Sequence, residues 1–258
     1  MTAELAYEES GRGEAVVLLH GFPFNRSLWR EQAEALSGGF RVITPDLRGH
    51  GDSPVADAPA TMEAMAEDVA ALLDRLGVSR AVVGGLSMGG YVTLAFCRMF
   101  PERVRALVLA DTRPQGDTEE GRRAREVTAL RALREGTGAI ADSMLPKMFA
   151  PATLDGRPDV VARVREMILG TKPEGAAAAL RGMAVRHDHT DRLAEISVPT
   201  LIVVGREDSV TPPADSETMR SKIRGARLEI IERAGHVSNV ERPAEFNRAL
   251  ADFLGGLG

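Results

Sequence analysis

Ser87 is the residue whose setting most clearly suggests chemistry. It stands in Gly85-Leu86-Ser87-Met88-Gly89, between the apolar run Ala81-Val82-Val83-Gly84 and a helix-like stretch from Gly90 to Phe100. A Gly-x-Ser-x-Gly between a strand and a helix is a nucleophile elbow. The chain turns so sharply there that the serine backbone is strained and its hydroxyl stands clear of the sheet edge. A β-carbon at Gly85 or Gly89 would collide with the neighbouring strand or helix. Short glycine-serine strings also occur as ordinary strand-to-helix turns, so the chemistry depends on partners elsewhere in the chain.

A serine hydroxyl is a poor nucleophile at neutral pH. It needs a base to take its proton and a third group to orient that base and stabilise its charged form. The five histidines are His20, His50, His187, His189 and His236. His236 lies in Ala-Gly-His-Val-Ser-Asn, after the last strand-like run and before the last helix-like one. That position overhangs the carboxyl ends of the strands, where an elbow would present Ser87. His20 heads His-Gly-Phe-Pro and is expected to brace that loop, and His50, in Arg-Gly-His-Gly-Asp-Ser, reads as structural. His187 and His189 flank Asp188, which is weak support for a metal site, and solvent exposure is the expectation for both.

For the orienting acid, Asp208 follows the run Leu201–Gly205 and Asp111 follows Val104–Ala110. Both fit the chain order Ser, Asp, His. Asp208 is favoured because its strand should lie beside the one leading to His236. Asp111 sits where the chain leaves the sheet and reads as a turn cap, and Glu207 is a minor rival that should point away. An oxyanion needs N–H donors. The backbone N–H of Met88, after the nucleophile, is one, and that of Phe22 in His20-Gly21-Phe22-Pro23 is the other. No metal or organic cofactor is required by this chemistry.

These residues need a frame that brings them together. Strands are expected at Ala15–Leu19, Arg41–Thr44, Ala81–Gly84, Val104–Ala110, Leu201–Gly205 and Leu228–Ile231, with an antiparallel edge strand at Leu5–Glu9. Most are continuously apolar, as strands buried on both faces should be. Between them, helices fit Leu28–Leu36, Met62–Leu76, Gly90–Phe100, Ala214–Ile223 and Ala244–Leu254. Thr61 is an N-cap candidate, and Pro213 and Pro243 sit where helices should begin. The alternation describes an α/β protein with a mostly parallel, doubly wound sheet.

It breaks between about Pro114 and Arg192, where only helical patches occur: Gly121–Arg134, Ala139–Phe149, Val160–Leu169 and Gly175–Met183. The expected organisation is a core of residues 1–113 and 193–258, with residues 114–192 inserted after the sixth-strand position as a helical cap. Five arginines in Arg122–Arg134 read as a solvated helix face. Met144, Met148, Phe149 and Met183 are candidate pocket walls, since methionine lines adaptable apolar surfaces; some should only pack the cap on the core.

Composition narrows the function classes. The 258 residues suit one α/β domain with an insertion, and 44% hydrophobic content is enough for a full core. A net charge of -5 argues against a nucleic-acid partner. No apolar run is long enough to cross a bilayer. The polar, acidic start Met1–Gly13 lacks the pattern of a secretory signal, so a cytoplasmic location is expected. The single cysteine, Cys97, permits no intramolecular disulfide and reads as a small core residue.

Taken together, His20-Gly21-Phe22-Pro23, Asp46-Leu47-Arg48-Gly49-His50-Gly51-Asp52-Ser53, the elbow at Ser87, Asp208 and His236 resemble the α/β-hydrolases along nearly the whole chain. The resemblance implies the α/β-hydrolase fold and a Ser-His-Asp hydrolase. Dehalogenases and epoxide hydrolases of that family carry an aspartate where this chain has Ser87. Within the family the cap and Ser87-Met88-Gly89-Gly90 resemble small bacterial carboxylesterases, 3-oxoadipate enol-lactonases and cofactor-free haloperoxidases or perhydrolases. The last often carry tryptophan at the position of Phe22. The expected substrate is a small carboxylic ester, with a lactone such as 3-oxoadipate enol-lactone as the alternative. A ligand sensor that keeps the same residues is the alternative outside enzymology.

Overall fold

Continuous apolar runs can only be buried if both faces of their sheet are covered, and this is how the chain folds. The structure, a computed structural model, describes residues 2–55 and 60–257. In chain order the elements are β1 (Tyr7–Ser10), β2 (Glu14–Leu19), α1 (Arg30–Leu36), β3 (Phe40–Pro45), α2 (Met62–Arg75), β4 (Ala81–Leu86), α3 (Met88–Met99) and β5 (Val104–Ala110). Then come α4 (Glu119–Glu135), α5 (Gly138–Met148), α6 (Pro151–Gly156), α7 (Pro158–Leu169) and α8 (Pro173–Ala184). The chain closes with β6 (Thr200–Gly205), α9 (Pro213–Lys222), β7 (Arg227–Ile231), α10 (Ser238–Glu241) and α11 (Pro243–Gly255).

The described strands form one seven-stranded sheet in the order β1-β3-β2-β4-β5-β6-β7. Only β1 runs antiparallel, along β3. Strands β4 and β6 are buried at every residue, which requires cover on both faces. Helices α2 and α3 pack as one pair and α1 and α11 as another. Capping follows the sequence signals: the Thr61 hydroxyl accepts the Ala64 N–H at 3.1 Å, and Pro213 and Pro243 open α9 and α11.

Helices α4 to α8 run between β5 and β6, so the excursion leaves after the fifth strand of this sheet and not after a sixth. Helix α8 lies directly on backbone of the sheet domain. A Cβ on Gly175 would fall 1.8 Å from Gly49 O, and one on Gly182 1.8 Å from Ala60 O. The two glycines are two turns apart on one helix face, which lets the cap seat at van der Waals distance. Arg123, Arg131 and Arg134 on α4 are paired locally with glutamates, as Arg131 is with Glu135 at 2.8 Å. Arg125 is more buried and pairs with Asp117.

Candidate active site

Phe22, Ser87, Asp111 and Asp208 all follow carboxyl ends of parallel strands, and His236 follows β7, so the sheet delivers them to one edge. The elbow differs in detail from the sequence reading. Strand β4 runs on to Leu86, and the helix begins at Met88, not Gly90. Gly89 and Gly90 therefore sit in the first turn of α3, where they allow close packing. A Cβ on Gly85 would meet the Gly89 backbone at 2.2 Å, one on Gly89 would meet Leu19 O at 2.2 Å, and one on Gly90 would meet Thr112 Oγ1 at 2.4 Å. Ser87 itself has φ 55 and ψ -112, a conformation a β-carbon rarely tolerates. Its carbonyl is held by the N–H groups of Gly90 and Tyr91 and by the Thr112 hydroxyl at 2.8 Å.

His236 Nε2 lies 2.9 Å from Ser87 Oγ, and its Nδ1 lies 2.8 Å from Asp208 Oδ2. The ring is almost wholly buried while Ser87 keeps some exposure. Asp208 is fully engaged. Its Oδ1 accepts the Val210 and Thr211 N–H groups at 2.8 and 2.9 Å, and Oδ2 also accepts the Thr211 hydroxyl at 2.7 Å. Burial would push the Asp208 carboxyl up, but His236 and the Thr211 donors outweigh it and hold the carboxyl below its usual range. Burial would likewise lower His236. The Asp208 carboxylate, with help from Asp111, more than offsets this and raises the imidazole above its ordinary value.

Asp111 does not touch His236. Its Oδ1 accepts the Gly205 N–H at 2.9 Å, and its Oδ2 accepts the Ser238 hydroxyl at 2.6 Å and N–H at 3.3 Å. It thus ties the end of β6 to the His236 loop, from a strained φ of 43. Burial and the Asp208 charge push its carboxyl up to about 8. Glu207 is exposed.

The loop after β2 and the elbow after β4 are neighbours, because β2 and β4 pair in parallel. A Cβ on Gly21 would lie 3.3 Å from Ser87 Cβ. Among the described residues, neither the Phe22 nor the Met88 N–H donates to a protein acceptor. His20 spans the base of this loop: Nδ1 meets Gly21 O at 2.9 Å, and Nε2 accepts the Leu47 N–H at 2.9 Å. This fixes a neutral tautomer, and burial lowers its pKa to about 4. His50 is also buried, with a pKa lowered to about 3 by burial and by His20.

Of the candidate wall residues, Met148 and Phe149 end α5 beside the His236 loop, where the His236 N–H donates to Met148 O at 2.7 Å. Met144 lies one turn earlier on the same helix. Met183 is on α8, where its sulfur accepts from Arg125 of α4 at 3.4 Å, so it packs within the cap. His189 is buried, not exposed as expected. Its ring stacks edge-on with the exposed His187 at 5.0 Å, and burial with the nearby positive groups lowers its pKa to about 4. Among the described residues no cluster of metal-ligating side chains occurs, and no helix is long and apolar enough to cross a membrane. Cys97 packs half-buried against the core, its thiol pushed up to about 11 by burial.

Sequence reasoning missed Thr211, Ser238 and Glu241, which hold Asp208 and the His236 loop. Thr211 had a local signal, three residues beyond Asp208 in a turn. Ser238 and Glu241 had none.

A family model described as the alpha/beta hydrolase fold matches residues 14–243. Relatives include 3-oxoadipate enol-lactonase 2 of Acinetobacter baylyi, 31% identical over 95% of this chain and 91% of that protein. Among solved structures, a thermophilic esterase from Thermogutta terrifontis with malate bound is 44% identical, covering 99% of this chain and 94% of the other, with a TM-score of 0.97. The enol-lactonase from Burkholderia xenovorans LB400 is 33% identical over 98% and 97%, with a TM-score of 0.92.

Proposed function

The chain belongs to the α/β-hydrolase family, and from that premise we propose that it is a serine hydrolase that cleaves small carboxylic esters through an acyl-enzyme. The reading rests on one observation, the 2.9 Å approach of His236 Nε2 to Ser87 Oγ at a strained elbow. In the proposed sequence His236 takes the Ser87 proton as Oγ attacks the ester carbonyl. The resulting oxyanion is received by the N–H groups of Phe22 and Met88. On collapse the C–O bond to the alcohol breaks, and the alcohol leaves with the proton held on Nε2. Water then enters, gives its proton to His236, attacks the acyl carbon and frees the acid with Ser87 restored. Asp208 keeps the ring proton on Nδ1 and stabilises the imidazolium. Residues 1–113 and 193–258 supply this machinery, and residues 114–192 form the cap that walls the acyl site with Met144, Met148 and Phe149.

Ser87→Ala should lower kcat by on the order of 10⁴- to 10⁶-fold and abolish labelling by a fluorophosphonate probe. Labelling of the Ser87→Ala variant as fast as that of wild type would end the proposal. Multiple turnovers of p-nitrophenyl butyrate support the enzyme. A single turnover accompanied by cap rearrangement supports a sensor instead.

Similarity to enol-lactonases favours a second reading, hydrolysis of a lactone acid. Such a substrate carries a carboxylate and needs a cation in the site. Arg113, whose charge reaches His236 and whose nearest carboxylate, Asp117, is 4.0 Å away, is the group to test. Turnover of 3-oxoadipate enol-lactone against p-nitrophenyl butyrate, in wild type and Arg113→Ala, separates the two readings.

A further inference from the structure

The candidate base is carried on a loop, and buried carboxyl groups hold that loop on both sides. Asp111 grips it beyond His236, through Ser238. Glu241, on α10, grips it just before His236: Oε1 accepts the Gly235 N–H at 2.6 Å. The second oxygen of the same carboxylate reaches across to the cap, where Oε2 accepts the Ala150 N–H at 3.0 Å. The cap answers with Met148 O, which accepts the N–H of His236 itself at 2.7 Å. The seam has no slack. A Cβ on Gly235 would come within 2.7 Å of Met148 O and 2.8 Å of Ala150 N.

Glu241 is buried, at 2% exposure. Burial raises its pKa, against the donors from Thr153, Ala150 and Gly235 and the charge of Arg242. An interior carboxyl is costly unless its oxygens are satisfied, and here each oxygen meets a backbone N–H from a different part of the fold. An amide could not do the same, because its NH₂ would face one of the two donors.

We propose that Glu241 is a positioning residue for His236. It clamps the cap segment Met148–Ala150 to the loop and so sets the distance and angle of the imidazole toward Ser87. The acyl-site wall formed by Met148 and Phe149 is built on the same clamp, so base and wall move as one unit. The inference rests on the reading of Ser87 and His236 as nucleophile and base.

The test compares Glu241→Gln and Glu241→Ala with wild type for melting temperature, kcat and KM on p-nitrophenyl butyrate, and the acid limb of kcat/KM. Glu241→Gln should fold and lose about 10- to 100-fold in kcat with little change in KM, the scale of a base displaced by about 1 Å. Its acid limb should move down toward the ordinary histidine value as the contact with Asp208 loosens. Glu241→Ala should go further in the same direction. If Glu241→Gln does not fold, Thr153→Val, which removes a hydroxyl that helps keep the carboxyl charged, should show a smaller fall in kcat alone. Wild-type kcat and an unmoved acid limb in the folded variants, with only the melting temperature lowered, would overturn the proposal. If Ser87→Ala is inactive while Glu241→Gln is normal, only the role of Glu241 fails; if Ser87→Ala remains active, the reading of the whole site fails.

Discussion

Asp208→Asn tests the hydrogen-bond logic of the site, because the two carboxylate oxygens have different duties. Oδ1 faces two backbone donors, Val210 N–H and Thr211 N–H, and Oδ2 faces His236 Nδ1 and the Thr211 hydroxyl. An asparagine has one oxygen. Placing its NH₂ at the Oδ1 position would set it against two backbone donors at 2.8 and 2.9 Å, so the oxygen must stay there. The amide nitrogen then faces His236 Nδ1, and the Thr211 hydroxyl can turn to accept from it. Nδ1 becomes an acceptor and the ring proton moves to Nε2, pointing at Ser87. A base in that tautomer cannot take the serine proton.

The wrong tautomer at a serine nucleophile costs about 10⁴-fold in kcat, which is about 5.5 kcal/mol of barrier. The substitution also removes the carboxylate that raises His236. Wild-type kcat/KM should therefore fall on the acid side through a pKa above 6.5, since His236 must be neutral to act, and any residual activity of the variant should fall through a lower one. Initial rates with p-nitrophenyl butyrate across mildly acidic to mildly alkaline pH, with circular dichroism to show that the variant folds, measure both effects. Retention of more than about a tenth of kcat would refute the tautomer argument. An acid limb unchanged from wild type would refute the electrostatic one.

Three other expectations follow from the same contacts. Asp111→Asn should keep Gly205 N–H on its oxygen and donate to a rotated Ser238 hydroxyl, losing mainly the 3.3 Å bond from Ser238 N–H; kcat should fall less than about tenfold, and a collapse matching Asp208→Asn would move the acid to Asp111. His20 and His50 are held neutral, with pKa values lowered to about 4 and about 3, so below pH 6.5 the unfolded chain binds protons that the folded chain refuses. Stability should drop on acidification by about 1.4 kcal/mol per pH unit for each, and urea titrations at neutral and acid pH should show the slope reduced in His50→Gln. An unchanged slope would show that His50 is not the group responsible. Gly89→Ala forces a Cβ to 2.2 Å from Leu19 O and should cost about 3 kcal/mol or more, whereas Gly38→Ala, with nothing within 4 Å, should change the melting temperature little.

What could be read from the sequence divides along a physical line. Strands β2, β4, β5 and β6 were legible because burial on both faces leaves a long apolar run, interrupted in β5 only by Arg105 near its start, and the helices beside them because caps such as Thr61 and openings such as Pro243 are local. The elbow was legible for the same reason: its glycines answer to steric demands within a few residues. The short helices α6 and α10 left no periodicity to detect. His189 was misjudged because its burial depends on the return path of the cap, which no window around residue 189 contains. The choice between Asp111 and Asp208 had the same obstacle. Both end neighbouring parallel strands, and only the side-chain directions give His236 to one and Ser238 to the other. Glu241 marks the far end of this line. Its partners are backbone N–H groups of Gly235 and Ala150, and a main-chain donor looks alike at every residue except proline. A sequence can thus point to candidate reacting side chains while hiding what holds them, and under the proposed mechanism the holding contacts are where substitutions distant from Ser87 should change rate without touching substrate.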